Sequence, residues 1–460
     1  MAEVANDDSE AKCPTATFCL PLAFAATGLS TFTPTWPSPK NVNCHLWQGD
    51  TGPSNDLVRM TPNIGRWRRP CKGSPPQMVN SIDLVCFSHL RWGFVFQRPN
   101  HLMSRFARIG RVFFIEEPIY DEGPIGLESV EAIKNLWVCT PHINSATSSE
   151  MAEAMQRRLL DGLIRKHRIV SPVEWFYTPM ALPLATHLDP SLVVYDCMDE
   201  LSGFHGAPPE LLERENRLFG HADVVFAGGA SLYESKRTRH PKVFLFPSSV
   251  DDAHFASART RENDPPDQAP IGFPRVGFFG VIDERMDLAL IESLARRRPQ
   301  YQIIMIGPVV KISEDSLPRL SNIHYLGMKS YSDLPKYIGG WQVAMMPFAL
   351  NEATRFISPT KTLEYLAAGR PIVSTAVPDV INPYGNNGLV KIADENSFAA
   401  SIDAAFDTDL ARFQADADAV LLRTSWDKTW SDMFEIMIRS MNRKAQAFAP
   451  QKGNRSCSTT

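Results

Sequence analysis

From Ile82 onward the sequence alternates short apolar runs with amphipathic ones, and near residue 273 the alternation starts again. The first series holds the apolar runs "IDLVCF", "RVFFIEE", "LWVCTP", "VEWFYTP", "LVVYDCMDE", "DVVFAGG" and "VFLFPSSV". Between them lie "RPNHLMSRFARIG", "MAEAMQRRLLDGLIRKH" and "ELLERENRLFGHA". In the first of these Leu102, Met103, Phe106 and Ile109 recur at helical spacing. Short buried strands joined by helices require a parallel sheet with both faces covered. After the polar, proline-rich stretch "ASARTRENDPPDQAPIG" the second series runs through "RVGFFGVI", "YQIIMIGP", "IHYLG", "WQVAMMPF", "PIVSTAV" and "GLVKIA". The pattern therefore predicts an α/β chain of two Rossmann-like domains. Ligands in such sheets sit beyond the carboxyl ends of the strands, and the two edges are expected to face each other across a cleft.

The boundaries follow from composition. Residues 1–77 hold ten of the 36 prolines and four of the eight cysteines, with no sustained period, and are expected to be a disordered extension. Met78, which opens "MVNSIDLVCFSHL", is the expected natural start. An N-terminal domain is predicted over 78–255, a linker over 256–272 and a C-terminal domain over 273–425. A helix returning to the first domain is predicted over 426–445, and a disordered tail over 446–460.

Several function classes are disfavoured. The net charge of −4 gives no reason to expect nucleic acid or an anionic membrane as partner. The cysteines form no CxxC pair and no metal-ligand spacing with histidine, which reads as reduced cytosolic thiols and no metal site. The apolar stretch "FCLPLAFAATGL" is too short to span a bilayer, is broken by Pro21, and follows acidic residues where a secretory signal wants positive charge. The expectation is a soluble cytoplasmic protein, with peripheral contact at the inner face of the plasma membrane left open. No GxGxxG follows a strand, which disfavours a Rossmann dehydrogenase.

The chemistry is expected on the strand-end loops. Gly280 ends the first strand of the second domain, with helix amides and Arg285 after it, an arrangement suited to a phosphate. In "RFISPTKTLEYLAAGRPIVST" a helix opens near residues 359–361. Its free amides, the hydroxyls of Ser358 and Thr360 and the charge of Lys361 would together hold a diphosphate. Glu364 falls on the same side by helical spacing and can accept both hydroxyls of a ribose. The plain structural alternative is Ser358 as a helix cap and Lys361–Glu364 as a solvated pair. Arg355 and Glu352 stand on the loop before this helix. In the first domain, "SHLRWGFVFQRPNHL" places His89, Arg91, Trp92 and Arg98 as candidates for sugar or phosphate binding. Asp199 and Glu200 in "YDCMDELSGFHG" are candidates to take a proton from an acceptor hydroxyl, with His89 as rival; Asp199 as a helix cap is the alternative. His142, His187 and His324 read as structural or surface residues.

With these residues in view, the chain from about 80 to 440 resembles the GT-B glycosyltransferases of family 4, also called group 1. "SPTKTLEYLAAGRPIVST" is similar to that family's signature helix, in which a glutamate binds the nucleotide ribose; Glu364 takes that place. "RVGFFGVIDER", "IHYLG", "LPKYIGGWQVAMMPF" and "SSVDDAHF" match the family's order and spacing. "HLRWGFVFQRPNHL" and "YDCMDE" further resemble a bacterial subgroup associated with surface polysaccharides. Phe356 stands where the family usually has a first glutamate, and Val281 and Met286 where it has an arginine and a lysine. Phosphate neutralisation then falls to Arg285, Lys361 or Arg355. The resemblance implies transfer of a sugar from a nucleotide diphosphate to an acceptor hydroxyl, with retention and without an obligatory cofactor or metal. The second domain would bind the donor, and the first a sugar or lipid-linked sugar acceptor. The alternatives are a nucleotide-sugar epimerase or hydrolase on the same plan, and a non-catalytic nucleotide-sugar-binding partner in a polysaccharide assembly complex.

Overall fold

The structure, a computed structural model, describes residues 82–260 and 263–448. The expected extension over 1–77 and its Met78 start lie outside the described residues, as does the expected tail from residue 449 onward. Residues 446–448 belong to the last helix.

The first sheet contains β1 (Ile82–Ser88), β2 (Gly110–Glu116), β3 (Ile119–Asp121), β4 (Gly126–Ile133), β5 (Leu136–Asn144), β6 (Val173–Phe176), β7 (Leu192–Cys197), β8 (Val224–Ala227) and β9 (Val243–Leu245). Its order is β3-β5-β2-β1-β6-β7-β8-β9. All pairs in this path are parallel, and β4 pairs antiparallel with β5 at the edge. The second sheet contains β10 (Arg275–Phe279), β11 (Gln302–Ile306), β12 (Ile323–Gly327), β13 (Val343–Met346), β14 (Ile372–Ser374) and β15 (Val390–Ile392), in the order β12-β11-β10-β13-β14-β15, all parallel. The central strands are buried along nearly their whole length, as apolar runs covered on both faces must be. The edge strand β4, "GLESVEAI", departs from the expected all-parallel sheet. Glu128 and Glu131 stay exposed, so it carries no buried-strand signal.

The last helix, Trp426–Phe448, crosses back to the first domain. Trp426, Met433 and Met437 are buried there with Phe106, Trp175 and Val194. Each buried side chain of this size contributes roughly 1.5–3 kcal/mol, so the helix is firmly held. The stretch expected as a linker is largely packed onto the second domain. Ala258 joins that domain's core, Gln268 accepts from Trp341 Nε1 at 2.9 Å, and Arg275 pairs with Asp264 at 2.9 Å. The crossing lies just upstream: Phe246 packs on the first domain's core and Val250 on the second's. Ser249 there shares a hydrogen bond of 3.0 Å with Thr424, at the return crossing.

One buried carboxyl makes stability depend on pH. Glu174, in the middle of the first sheet, is 4% exposed and its Oε1 has no hydrogen-bond partner. Burial pushes its pKa up from 4.5 to about 8, against the pull of Lys444. The folded state thus holds this proton more tightly than the unfolded chain. The stability it contributes is fully present below about pH 4.5 and is lost as pH rises through 8. Glu174→Gln is expected to flatten that decline and to raise Tm at pH 8; an unchanged pH–Tm profile would contradict the assignment.

Candidate active site

The second domain brings Gly280, Thr360, Lys361 and Glu364 together. Gly280 follows β10 with φ +147°, and Gly307 follows β11 with φ +139°. A Cβ on Gly307 would fall 1.8 Å from the Gly280 carbonyl oxygen, so these strand ends approach as only glycine permits. Lys361 lies over them, its Cε 3.2 Å from where a Gly280 Cβ would stand. Lys361 Nζ donates to Thr360 Oγ1 at 3.3 Å, lies 3.7 Å from Glu364 Oε2, and sits 5.0 Å from the centre of the Phe279 ring. Glu364 is only 7% exposed and its Oε2 has no hydrogen-bond partner. Burial lifts this carboxyl above its ordinary pKa, while Lys361 and His254 pull it back. A solvated surface pair would have neither property.

The helix Thr360–Ala367 starts with Pro359 at its N-cap and no side-chain cap, so Ser358 does not play the capping role. Ser358 instead faces the first domain, where a Cβ on Gly229 would come within 2.8 Å of Ser358 Cβ. Lys361→Met should weaken a free nucleoside diphosphate and a nucleotide sugar alike, because the charge acts on phosphate and not on the sugar. Equal affinities of wild type and variant for UDP or GDP would remove Lys361 from the site.

The expectation that helix amides follow Gly280 directly is corrected. The helix begins only at Leu288, and Asp287 fills its N-terminus by accepting from Leu290 N at 2.8 Å. Arg285 stands in the intervening loop and donates to Asp283 through Nε and Nη2. Burial works against its charge, but Asp283 and Asp199 more than offset that and raise its pKa. Arg355 lies on an exposed loop, 3.7 Å from Glu352. Phe356 packs against the first domain's core, making this loop an apolar contact between the halves.

In the first domain the proposed groups separate. Arg98 is spent: it is 1% exposed and bonds Asp196 through Nε and Nη2 and the Phe246 carbonyl through Nη1. Trp92 packs edge-on against Phe114 in the core at 5.2 Å. Arg91 is held by Glu116 at 2.9 Å. These contacts fix the loop after β1 and leave Arg98 and Trp92 unsuited to contact an acceptor. Glu200 is paired with Lys236 at 2.7 Å. Burial and the nearby Lys311 lower the His89 imidazole to about 4, so it is neutral at pH 7.

Asp199 differs from both. Burial pushes its pKa up to about 6; Arg285, Arg98 and Lys311 pull it down and Asp283 pushes it further up. It does not cap a helix, because the short turn Leu201–Gly203 has Glu200 at its N-cap without a side-chain bond. Its loop meets the second domain. His205 N donates to Glu284 Oε1 at 3.3 Å, and Lys311 Nζ stands 4.7 Å over the Phe204 ring. A second tie joins the halves: the Asp379 carboxylate accepts from Ala230 N at 2.8 Å and Ser231 N at 2.9 Å.

Sequence reasoning missed Lys311, Asp283 and Asp379. The available signal for Lys311 was its place on the loop after β11, at a strand's carboxyl end. Among the described residues no group of three or more His, Cys, Asp or Glu side chains could hold a metal ion, and no helix is long and apolar enough to cross a membrane.

Two Rossmann-like domains, joined by two crossings and closed by a helix that returns to the first, define the GT-B architecture. Within the second domain, residues 274–408 match the family model described as glycosyl transferases group 1. A relative described as the putative teichuronic acid biosynthesis glycosyltransferase TuaH of Bacillus subtilis (strain 168) is 26% identical over 220 residues. That match covers 44% of this chain and 55% of the relative, so the chain spans about half the relative's length. Among solved structures, a UDP-forming trehalose-phosphate synthase from Burkholderia xenovorans superposes with a TM-score of 0.59 at 13% identity, covering 80% of this chain and 100% of that one. A sucrose-phosphate synthase from Thermosynechococcus elongatus gives 0.56 at 13% identity, covering 80% and 99%. An E. coli structure titled as trehalose-6-phosphate bound with UDP-2-fluoro glucose gives 0.58 at 12% identity, covering 77% and 98%. These structural likenesses concern the fold.

Proposed function

We propose that the protein transfers a sugar from a nucleotide-diphosphate sugar to an acceptor hydroxyl. The observation that carries this reading is Glu364: a buried carboxylate with an unpartnered oxygen, beside Lys361 and over a glycine-lined strand end. One group there can accept ribose hydroxyls while its neighbour meets the diphosphate. In the reaction the bond between the sugar's anomeric carbon and the phosphate oxygen breaks. A new bond forms from that carbon to the acceptor oxygen, and the acceptor's proton passes to Asp199 or to the departing diphosphate. The leaving group gains charge in the transition state, so fixed cations at Lys361 and Arg285 lower the barrier. Retention by front-side attack fits the group 1 family. A role in polysaccharide or glycoconjugate assembly is supported by the likeness to the Bacillus relative, described as a putative teichuronic acid biosynthesis glycosyltransferase.

The test is a thermal-shift screen against UDP-, GDP- and ADP-sugars, followed by product analysis with and without acceptors. A bound donor raises Tm by mass action, and transfer requires nucleoside diphosphate release that depends on acceptor. No shift with any nucleotide sugar would overturn the reading. Sugar release from donor alone would favour hydrolysis, and binding without turnover a non-catalytic role.

A further inference from the structure

The first domain holds a cavity of about 460 Å³ beside the cleft. This lies within the range of pockets that take a drug-sized ligand, and it exceeds what one sugar ring fills. It opens at the carboxyl ends of β1 and β2, where Ser88 precedes His89 and Glu116 ends its strand. The loop 206–210, which continues from Asp199's loop, forms another wall. Ile115, Pro118, Tyr120, Met180, Leu184 and Pro208 make the lining largely apolar.

Its charged groups are nearly all acidic, and Ser88, Ser149, Gln156 and Thr178 add neutral polar groups. Glu116, Glu117, Glu153 and Glu210 line it, and Arg214 is the only cation among the lining residues. Arg214 is already taken, donating to Glu153 Oε2 at 3.0 Å and to the Met180 carbonyl at 2.8 Å. Glu116 is taken as well, accepting from Arg91, Trp92 N and Thr140. Glu117 is different: its Oε2 is sealed from solvent and has no hydrogen-bond partner. Burial raises its carboxyl to about 8, with Arg91 pulling the other way. At pH 7 it is therefore mostly a neutral acid, able to donate one hydrogen bond and accept another.

Building on the transferase reading, we infer that this cavity is the acceptor subsite, that it takes an uncharged glycoside with an apolar aglycone, and that Glu117 hydrogen-bonds a hydroxyl of it. A phosphorylated acceptor would bring negative charge among carboxylates with no free cation to meet it, so the pocket selects against sugar phosphates. Apolar walls suit the hydrophobic face and aglycone, and one neutral acid suits a hydroxyl that is both donor and acceptor.

The test needs no donor. Saturation-transfer NMR and calorimetry on the full chain would compare octyl glycosides of glucose, galactose, mannose and N-acetylglucosamine with the matching hexose 6-phosphates. At least one glycoside should bind saturably at pH 7, tighter than its 6-phosphate by tenfold or more. Its affinity should fall about tenfold between pH 7 and 9 as Glu117 ionises beside Glu116, Glu153 and Glu210, with Arg91 and Arg214 as the nearby cations. Glu117→Gln should abolish that pH dependence, and Tyr120→Ala should weaken binding without changing the pH profile. Saturable binding by no glycoside, tighter binding of a 6-phosphate, or an unchanged pH profile in Glu117→Gln would overturn the assignment. Nucleotide-sugar binding tested in parallel separates the two readings. Donor binding without glycoside binding defeats the subsite alone, and glycoside binding without donor binding defeats the transferase reading and leaves the cavity a glycoside-binding pocket that is not an acceptor subsite.

Discussion

Asp199→Asn is expected to lower kcat by 10²–10⁴-fold with little change in donor affinity, the usual range for loss of a general base. Three groups compete for this role, and their surroundings separate them. Glu200 has its charge bound to Lys236 at 2.7 Å. His89 is held near 4 by burial and Lys311, so it is a weak base at neutral pH. Asp199, pushed up to about 6, is ionised at pH 7 yet still basic enough to accept a proton. The pH profile gives a second readout. The base must be deprotonated to act, so kcat/KM should rise with pH through about 6 in the wild type, and that limb should disappear in Asp199→Asn. The profile also separates catalysis from structure, since Asp199 caps no helix and a merely structural loss would lower Tm without moving the limb. An asparagine variant with wild-type kcat would hand deprotonation to the departing diphosphate.

The alternation of apolar and amphipathic runs made both sheets legible, because a strand buried on both faces must be apolar along its length. β4 escaped for the converse reason: an exposed antiparallel edge needs no apolar residues. The second half of the site was legible because it is local. Thr360, Lys361 and Glu364 share one helix, so spacing alone brings them together. The first half was not, because its partners are distant in sequence. Arg98 reads as a loop cation until Asp196 is seen to claim it, 98 positions on. The same holds for Glu117, whose lack of a partner is a fact of three-dimensional packing. The segment 256–272 reads as a linker by composition, yet Gln268 and Asp264 bind Trp341 and Arg275 of the second domain. Polar, proline-rich chain is not free chain once its side chains find buried partners.

Glu364→Ala should weaken nucleotide-sugar binding by roughly 10–100-fold, with the fold intact. Hydrogen bonds to a charged group are worth about 1.5–3 kcal/mol, and Glu364 presents a buried oxygen that no protein group satisfies. In the absence of donor that oxygen is a liability: burial lifts the carboxyl's pKa, and Lys361, at 3.7 Å, and His254 offset that only in part. Removing it should therefore leave stability unchanged or raise it, while donor affinity falls. Those opposite signs distinguish a binding carboxylate from a structural one, whose loss would lower both. The effect should also depend on the ribose. A 2′-deoxy nucleotide sugar should bind the wild type more weakly than the ribonucleotide and bind Glu364→Ala almost equally, because the hydroxyl lost from the ligand is the one the carboxylate would have accepted. Parallel losses for both ligands in the variant would place Glu364 elsewhere on the donor. Undiminished donor affinity would reduce it to the ion-pair partner of Lys361 and remove the observation on which the transferase reading rests.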